Sequence, residues 1–398
     1  MKARAMPGGI WALGIGALFM DVSSELIHSL LPLFLTGVLG AAVTTVGAIE
    51  GVAEATGSIT KVFSGALSDL LRRRKPVMLF GYALSACTKP VFPLASSVGA
   101  IFAARFVDRV GKGIRGAPRD ALVAEIAPPR LRGAAYGLRQ ALDSLGAVLG
   151  PLVAVVAMAW LDDRIRTVMW IAVLPAFVAV VVLVVFVREP ARGQEGRGSR
   201  SALRRSDFAR LPARYWGVVA LGSVFTLARF SEAFLVLRAQ SVGLSAGHVP
   251  LVIIAMNASY ASLAYPSGAA ADRVGARALL FAGFALLVAA DLVLAAASSP
   301  WPMFAGAALW GVHMALTQGL LAKLVADTAL AELRATAFGV FNLASGVALL
   351  LASTIAGALW SAIGPEATFL AGAAFAALAA LGLLGARRGP GHSPQSQR

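Results

Sequence analysis

Apolar runs of about twenty residues, the length that carries a helix across a bilayer, recur twelve times along the chain with short polar breaks between them. They predict helical spans at residues 10–38, 43–70, 76–97, 99–126, 133–160, 166–188, 214–242, 247–271, 277–298, 301–326, 335–361 and 366–386. Pro32, Pro90, Pro118 and Pro151 fall inside these runs. Transmembrane helices absorb proline as a kink, so they do not end the spans. The polar positions inside the spans are few and sit one turn apart. Asp21, Glu25 and His28 stand at i, i+4 and i+7 in the first span, and Arg105, Asp108, Arg109, Lys112, Arg115, Arg119 and Asp120 form a stripe in the fourth. Ionisable groups at membrane depth face a bundle interior or a water-filled cavity. The first and fourth helices are therefore expected to line a pathway.

Composition supports a polytopic membrane protein: 398 residues, 58% hydrophobic and 14% charged, with a mean hydropathy of +0.76. The net charge of +15 could suggest nucleic acid, but its distribution excludes that partner. Arg and Lys collect in alternate connections: Lys2 and Arg4, Arg72 to Lys75, Arg130 and Arg132, Arg188 through Arg214, Arg273 and Arg277, Arg334, and Arg387 with Arg388. Arg164 and Arg166, beside Asp162 and Asp163, are the exception. This positive-inside bias predicts a bacterial-type inner-membrane protein with both termini in the cytoplasm. Met1–Gly9 is basic but is followed by no cleavage site, so the first helix is read as retained. The lone Cys87, read as a small buried hydrophobe, excludes an internal disulfide and a cysteine metal cluster. No phosphate-cradling loop or nucleophile–base constellation is present, so neither ATP use nor an enzyme is expected, and no cofactor.

The chain is duplicated. Gly65-Ala-Leu-Ser-Asp69 matches Gly268-Ala-Ala-Ala-Asp272; Leu122-Val-Ala-Glu125 with Leu131-Arg-Gly-Ala-Ala-Tyr-Gly137 matches Leu324-Val-Ala-Asp327 with Leu333-Arg-Ala-Thr-Ala-Phe-Gly339; Ser24-Glu25 matches Ser231-Glu232. All keep an offset of 202 to 207 residues. The expected organisation is a six-helix bundle at 1–188, a Gly/Ser/Arg-rich cytoplasmic linker at 189–213, a second bundle at 214–388 and a tail at 389–398. The fold class is all-α, with twelve transmembrane helices in two pseudo-symmetric bundles. Gly65 to Arg74, with Asp69, Arg73 and Arg74, resembles the loop signature of the major facilitator superfamily, and Gly268 to Arg277, with Asp272 and Arg273, is a closer copy. The resemblance implies a site near midplane between the halves and a latch at these loops that breaks as the cytoplasmic side opens. Two further stretches are similar to the drug and proton antiporter branch: Arg109-Val-Gly-Lys112-Gly113 through Ala117 on the fourth helix, and Gly146-x-x-x-Gly150-Pro151 on the fifth.

That branch pairs a first-helix acid with a fourth-helix Arg, which implies proton coupling by Asp21 or Glu25 with Arg109. A static ion pair is the alternative. The expected cavity residues are His28, Arg105, Lys112, Arg115, Arg229, Phe230, Glu232, Arg238 and His313. The surplus of cations suits an anionic solute, unless each is matched by an acid in a structural network. Arg139 and Asp143, at i+4, are expected to satisfy each other. The function expected is proton-coupled efflux of a small organic, anionic solute by a monomer. Import of an organic anion and transport of a metal or metal chelate, with His28 and His313 converging, are the rival readings. No resident metal is expected.

Overall fold

The computed structural model describes residues 6–70, 73–128, 131–189, 210–329 and 333–385. It leaves out the side chains of 65–70, 132–133, 265, 268–269, 271–273, 276, 318–319, 322–323, 326–327, 334–336 and 385. Among the described residues twelve spans run in order: α1 Gly8–Val38, α2 Val43–Leu70, α3 Arg74–Leu94, α4 Val98–Ile126, α5 Arg132–Trp160, α6 Ile165–Phe186, α7 Ala213–Ser241, α8 Pro250–Val274, α9 Ala276–Ala296, α10 Pro300–Thr328, α11 Arg334–Ala362 and α12 Pro365–Gly385. Eight of them meet the length and hydropathy of a membrane crossing among the described residues. The charge-bearing α2 and α4 are not among the eight. Pro32 removes a backbone donor, and the end of α1 widens into a π turn at Phe34–Val38. α3 breaks at Lys89–Pro90, and α7 unwinds at Arg229–Glu232.

The helix packing repeats with the sequence. In the first half α1 packs on α5 and α6, α2 on α4, and α3 on α4 and α6. In the second, α7 packs on α11 and α12, α8 on α10, and α9 on α10 and α12, each pair displaced by six spans. The contacts between halves obey the same symmetry, α2 against α11 and α5 against α8. Duplicated sequence thus gives duplicated packing.

The halves share an apolar core at one end only. On the proximal face, the one where α1 begins, the first half has its own core of Ile10, Leu13, Met78, Tyr82, Leu122 and Leu183, and the second has Tyr215, Val219, Val325 and Ala337. Towards the distal face one core joins both halves, with Leu30, Phe34 and Ile49 of the first against Phe230, Phe234 and Trp310 of the second. Gly51 lets α2 lie on the α11 backbone, where an added Cβ would come within 3.0 Å of the Leu350 carbonyl. The exceptional basic residue of a distal connection is explained locally. Arg166 donates to the Pro93 and Ala95 carbonyls, both at 2.8 Å, at the end of α3. Cys87 is exposed on the bundle surface, contrary to its expected burial, because it follows the exposed Phe80 by seven residues on the face of α3 turned away from the buried Ser85 and Ala86.

Candidate functional site: a charged cavity between the halves

A cavity of about 430 Å³ lies between the halves and runs from mid-depth towards the proximal face. That size falls within the usual range for small-molecule sites. Asp21 and Glu25 of α1, Glu54 and Lys61 of α2, Arg109, Lys112, Arg115 and Arg119 of α4, and Gln140 and Asp143 of α5 form one wall. The other wall is Asn257 and Tyr260 of α8 with Met314 of α10. Among the described residues, all the charge on the lining is therefore on the first half, and the facing wall of Asn257, Tyr260 and Met314 is neutral.

Small residues bring these charges together. α4 reaches α2 because Gly113 has no side chain; a Cβ there would sit 2.6 Å from Thr60 Cβ and 2.8 Å from the Gly57 carbonyl. The fifth-helix glycines do the same for α1. A Cβ at Gly146 would lie 2.9 Å from Asp21 Cβ, and one at Gly150 would lie 2.8 Å from Glu25 Cβ. The motif read from sequence thus seats the two first-helix acids against α5 and leaves their carboxyls on the cavity.

The pairing differs from the expected one. Arg109 binds Glu54 at 2.9 Å, not a first-helix acid. Asp21 faces Arg115 at 3.8 Å, while Arg115 also donates to Ser85 Oγ at 2.9 Å and lies over the Tyr82 ring. Glu25 meets His28 Nδ1 at 3.4 Å, and His28 Nε2 meets Glu50 at 3.3 Å. Arg105 is fork-bonded to Glu50, at 3.1 and 2.7 Å, and stands 3.8 Å from Glu54. Lys89 is buried on Asp108 at 2.9 Å and Ser24 at 3.0 Å. Arg139 and Asp143 pair at 2.6 Å as their spacing indicated, and Arg119 joins Asp143 at 3.5 Å. The reason for the exchange of partners is depth. Glu54 on the closely packed α2 comes level with Arg109, whereas Asp21 comes level with Arg115, a turn and a half further along α4.

Other expected cavity residues lie elsewhere. Arg105 and His28 are inside the network and off the cavity lining. Arg238 sits near the end of α7 and donates to the carbonyls of Leu294, Ala295 and Ala297 and to Glu366, so it ties the end of α9. Phe230 packs among Phe234, Trp310 and Phe369. His313 is fully buried between Phe225 and Trp310. It does not converge with His28, and among the described residues no group of three or more His, Cys, Asp or Glu could hold a metal ion. Arg229 and Glu232 lie at the break in α7 without lining the cavity; Arg229 is 6.0 Å from the centre of the Phe225 ring. Of the latch residues, Arg73 is exposed in extended backbone before α3. The side chains of Gly65, Asp69, Gly268, Asp272 and Arg273 lie outside the described ones.

Glu50, Glu54 and Lys89 are recognisable in the sequence as buried, yet spacing along their own helices assigns them no role. A signal is present all the same: two acids at i+4 in α2 can match the α4 stripe. Asp291, fully buried on α9 with both carboxyl oxygens unbonded, escapes sequence reasoning altogether, although its isolation in an apolar run is the signal that would flag it.

The sequence profile described as Major Facilitator Superfamily matches residues 13–237 and 230–398. An uncharacterized MFS-type transporter of Methanocaldococcus jannaschii is 31% identical over 388 residues, 96% of this chain and 95% of the relative. The multidrug resistance protein MdtH of Edwardsiella ictaluri is 28% identical over 150 residues, 38% of this chain and 37% of the relative. The crystal structure of the nucleoside transporter NupG, solved for a point mutant, superimposes with a TM-score of 0.79 at 13% identity, covering 94% of this chain and 98% of that one. With the duplicated six-helix packing and the cavity between halves, these matches place the chain in the major facilitator superfamily of membrane transporters.

Proposed function

We propose that the chain is a proton-coupled exporter of a small organic anion, held as a monomer in the inner membrane with its proximal face in the cytoplasm. The observation that carries this reading is Lys112. Arg109, Arg115 and Arg119 each face an acid, but Lys112 lines the cavity with no hydrogen bond or ion pair of its own among the described residues. An ammonium held ready in this way binds a carboxylate or phosphate as a point charge. The neutral wall of Asn257, Tyr260 and Met314 suits the organic body of the same molecule. With the proximal face in the cytoplasm, the separate proximal cores and joined distal core support an inward-open reading, and rocking of one half on the other converts it to the outward-open state. Asp21 and Glu25, on the cavity wall and within the field of Lys112, are the proton carriers, and Arg109 sets that field from the same helix. The fifth-helix glycine motif and the partial likeness to MdtH favour export.

Proteoliposomes with an imposed proton gradient test the reading. Uphill movement of an organic anion is expected; failure across organic anions, amphiphilic cations and metal chelates alike would remove it. Movement of cations or chelates alone would replace the cargo.

A further inference from the structure

We propose that His28, as an imidazolium, is a proton-operated lock on the distal seal. It joins Glu25 on the cavity wall to Glu50, whose carboxylate reaches across to the second half. The proposal takes its meaning from the transporter reading, but its test does not involve cargo.

Hydrogen-bond geometry comes first. Both ring nitrogens of His28 face carboxylate oxygens, Glu25 at 3.4 Å and Glu50 at 3.3 Å. A neutral imidazole has one N–H and donates once, whereas the imidazolium donates from both nitrogens. While Glu25 and Glu50 are both ionised, only the protonated ring satisfies both neighbours.

Charge balance among the directly paired groups points the same way. Glu25, Glu50 and Glu54 carry three negative charges in one connected group, and Arg105 and Arg109 supply two positive ones. Asp108 is matched by Lys89. The proton on His28 closes this directly paired group to neutrality, while Lys112 and Glu232 act on it at longer range with opposite signs, and an uncompensated charge in such surroundings is strongly unfavourable. The groups facing His28 are Glu25 on its own helix, Glu50 on α2, Arg105 on α4 and Glu232 on α7. The stretches 144–160 of α5 and 250–264 of α8 contain no acidic or basic residue. On α6, Arg166 is engaged with the Pro93 and Ala95 carbonyls.

Position turns this bridge into a lock. Glu25 lines the cavity and so connects His28 to protons on the proximal side. Glu50 is fully buried, and Ser231 Oγ, in the unwound break of α7, donates to it at 3.5 Å. The Ser231 backbone N–H is in turn held by Ser353 Oγ of α11 at 3.2 Å. The chain of contacts therefore starts at the cavity and ends at the interface that keeps the distal face shut. Removing the His28 proton takes a donor from one carboxylate and leaves a net negative charge between α1, α2 and α7. Both effects favour parting of the halves at that face.

The test is a distance across the seal in the full chain. With Cys87→Ser removing the native thiol, spin labels at Gly37→Cys and Gln240→Cys mark the exposed distal ends of α1 and α7, and pulsed electron-spin resonance in nanodiscs reads their separation between about pH 5 and 9, the range in which histidine titrates. The unsubstituted chain is expected to show a short distance at acidic pH and a growing long-distance population as pH rises. His28→Gln is expected to abolish that response and to lower the closed-to-open ratio at acidic pH by about tenfold, the size of one charge-assisted hydrogen bond. Ser231→Ala, which leaves the first-half network intact, is expected to weaken the response and serves alone if His28→Gln does not fold. A pH response that persists in full in either variant, or a distance independent of pH in the unsubstituted chain, overturns the lock. Loss of transport with the response intact would strike the exporter reading alone.

Discussion

Gly150→Ala and Gly137→Ala make the same chemical change on the same helix and are expected to act in opposite directions. At Gly150 the added methyl would sit 2.8 Å from Glu25 Cβ and from the Val22 carbonyl, and 2.9 Å from the Leu26 amide nitrogen. Carbon contacts are comfortable at about 3.5–4.0 Å, and two of these three atoms are backbone that cannot rotate away. α1 must therefore move off α5 by the better part of an ångström, and overpacking of this kind costs about 1–3 kcal/mol. At Gly137 nothing lies within 4 Å, so only helix propensity acts, and alanine gains up to about 1 kcal/mol. Melting in detergent, followed by intrinsic fluorescence, measures the difference. Gly150→Ala is expected to melt lower than Gly137→Ala by a few degrees, since an unfolding entropy of about 2.1 cal/mol/K per residue over 398 residues gives about 1 °C per kcal/mol. Because the displaced helix carries Asp21 and Glu25, Gly150→Ala is also expected to lose proton-driven transport while Gly137→Ala keeps it. Equal melting temperatures would refute the close packing of α1 on α5.

Asp21→Asn is expected to abolish proton-driven accumulation while leaving cargo exchange across proteoliposomes in place; unchanged accumulation would remove Asp21 from the coupling. Lys112→Gln is expected to weaken binding of an anionic cargo by roughly tenfold, the scale of one charge-assisted contact, and calorimetric titration checks it against a neutral analogue whose affinity stays constant. Glu50→Gln strips Arg105 of its buried fork, and breaking such a pair costs about 3–5 kcal/mol, read as a large drop in melting temperature. Replacing both, as Glu50→Leu with Arg105→Met, is expected to recover part of that stability. Arg238→Ala is expected to lower the melting temperature through the freed carbonyls of α9 without changing cargo affinity.

Much of the fold was legible because membrane crossing imposes a length and a hydropathy on each span, and those are properties of single segments. The twelve spans agree with expectation to within a few residues at most ends, and the duplication read from Gly65–Asp69 and Gly268–Asp272 reappears as matched helix pairs. The site was legible in part. Asp21, Glu25, Arg109, Lys112 and Arg115 stand out by helical spacing and do line one cavity. Arg238, Phe230 and His313 stand out by the same rule and lie off it, because spacing identifies a shared face without saying what that face meets.

Sequence by itself determined what each helix must hide: a run of apolar residues long enough for the bilayer, and charges confined to one stripe that cannot face lipid. Tertiary structure decided who answers each charge. Arg109 found Glu54 instead of Asp21 because glycines at 113, 146 and 150 set how deeply α1, α2 and α4 interlock, and pairing between ions depends on separations of a few ångströms in three dimensions. Those separations depend on the relative height of packed helices, which no single helix encodes.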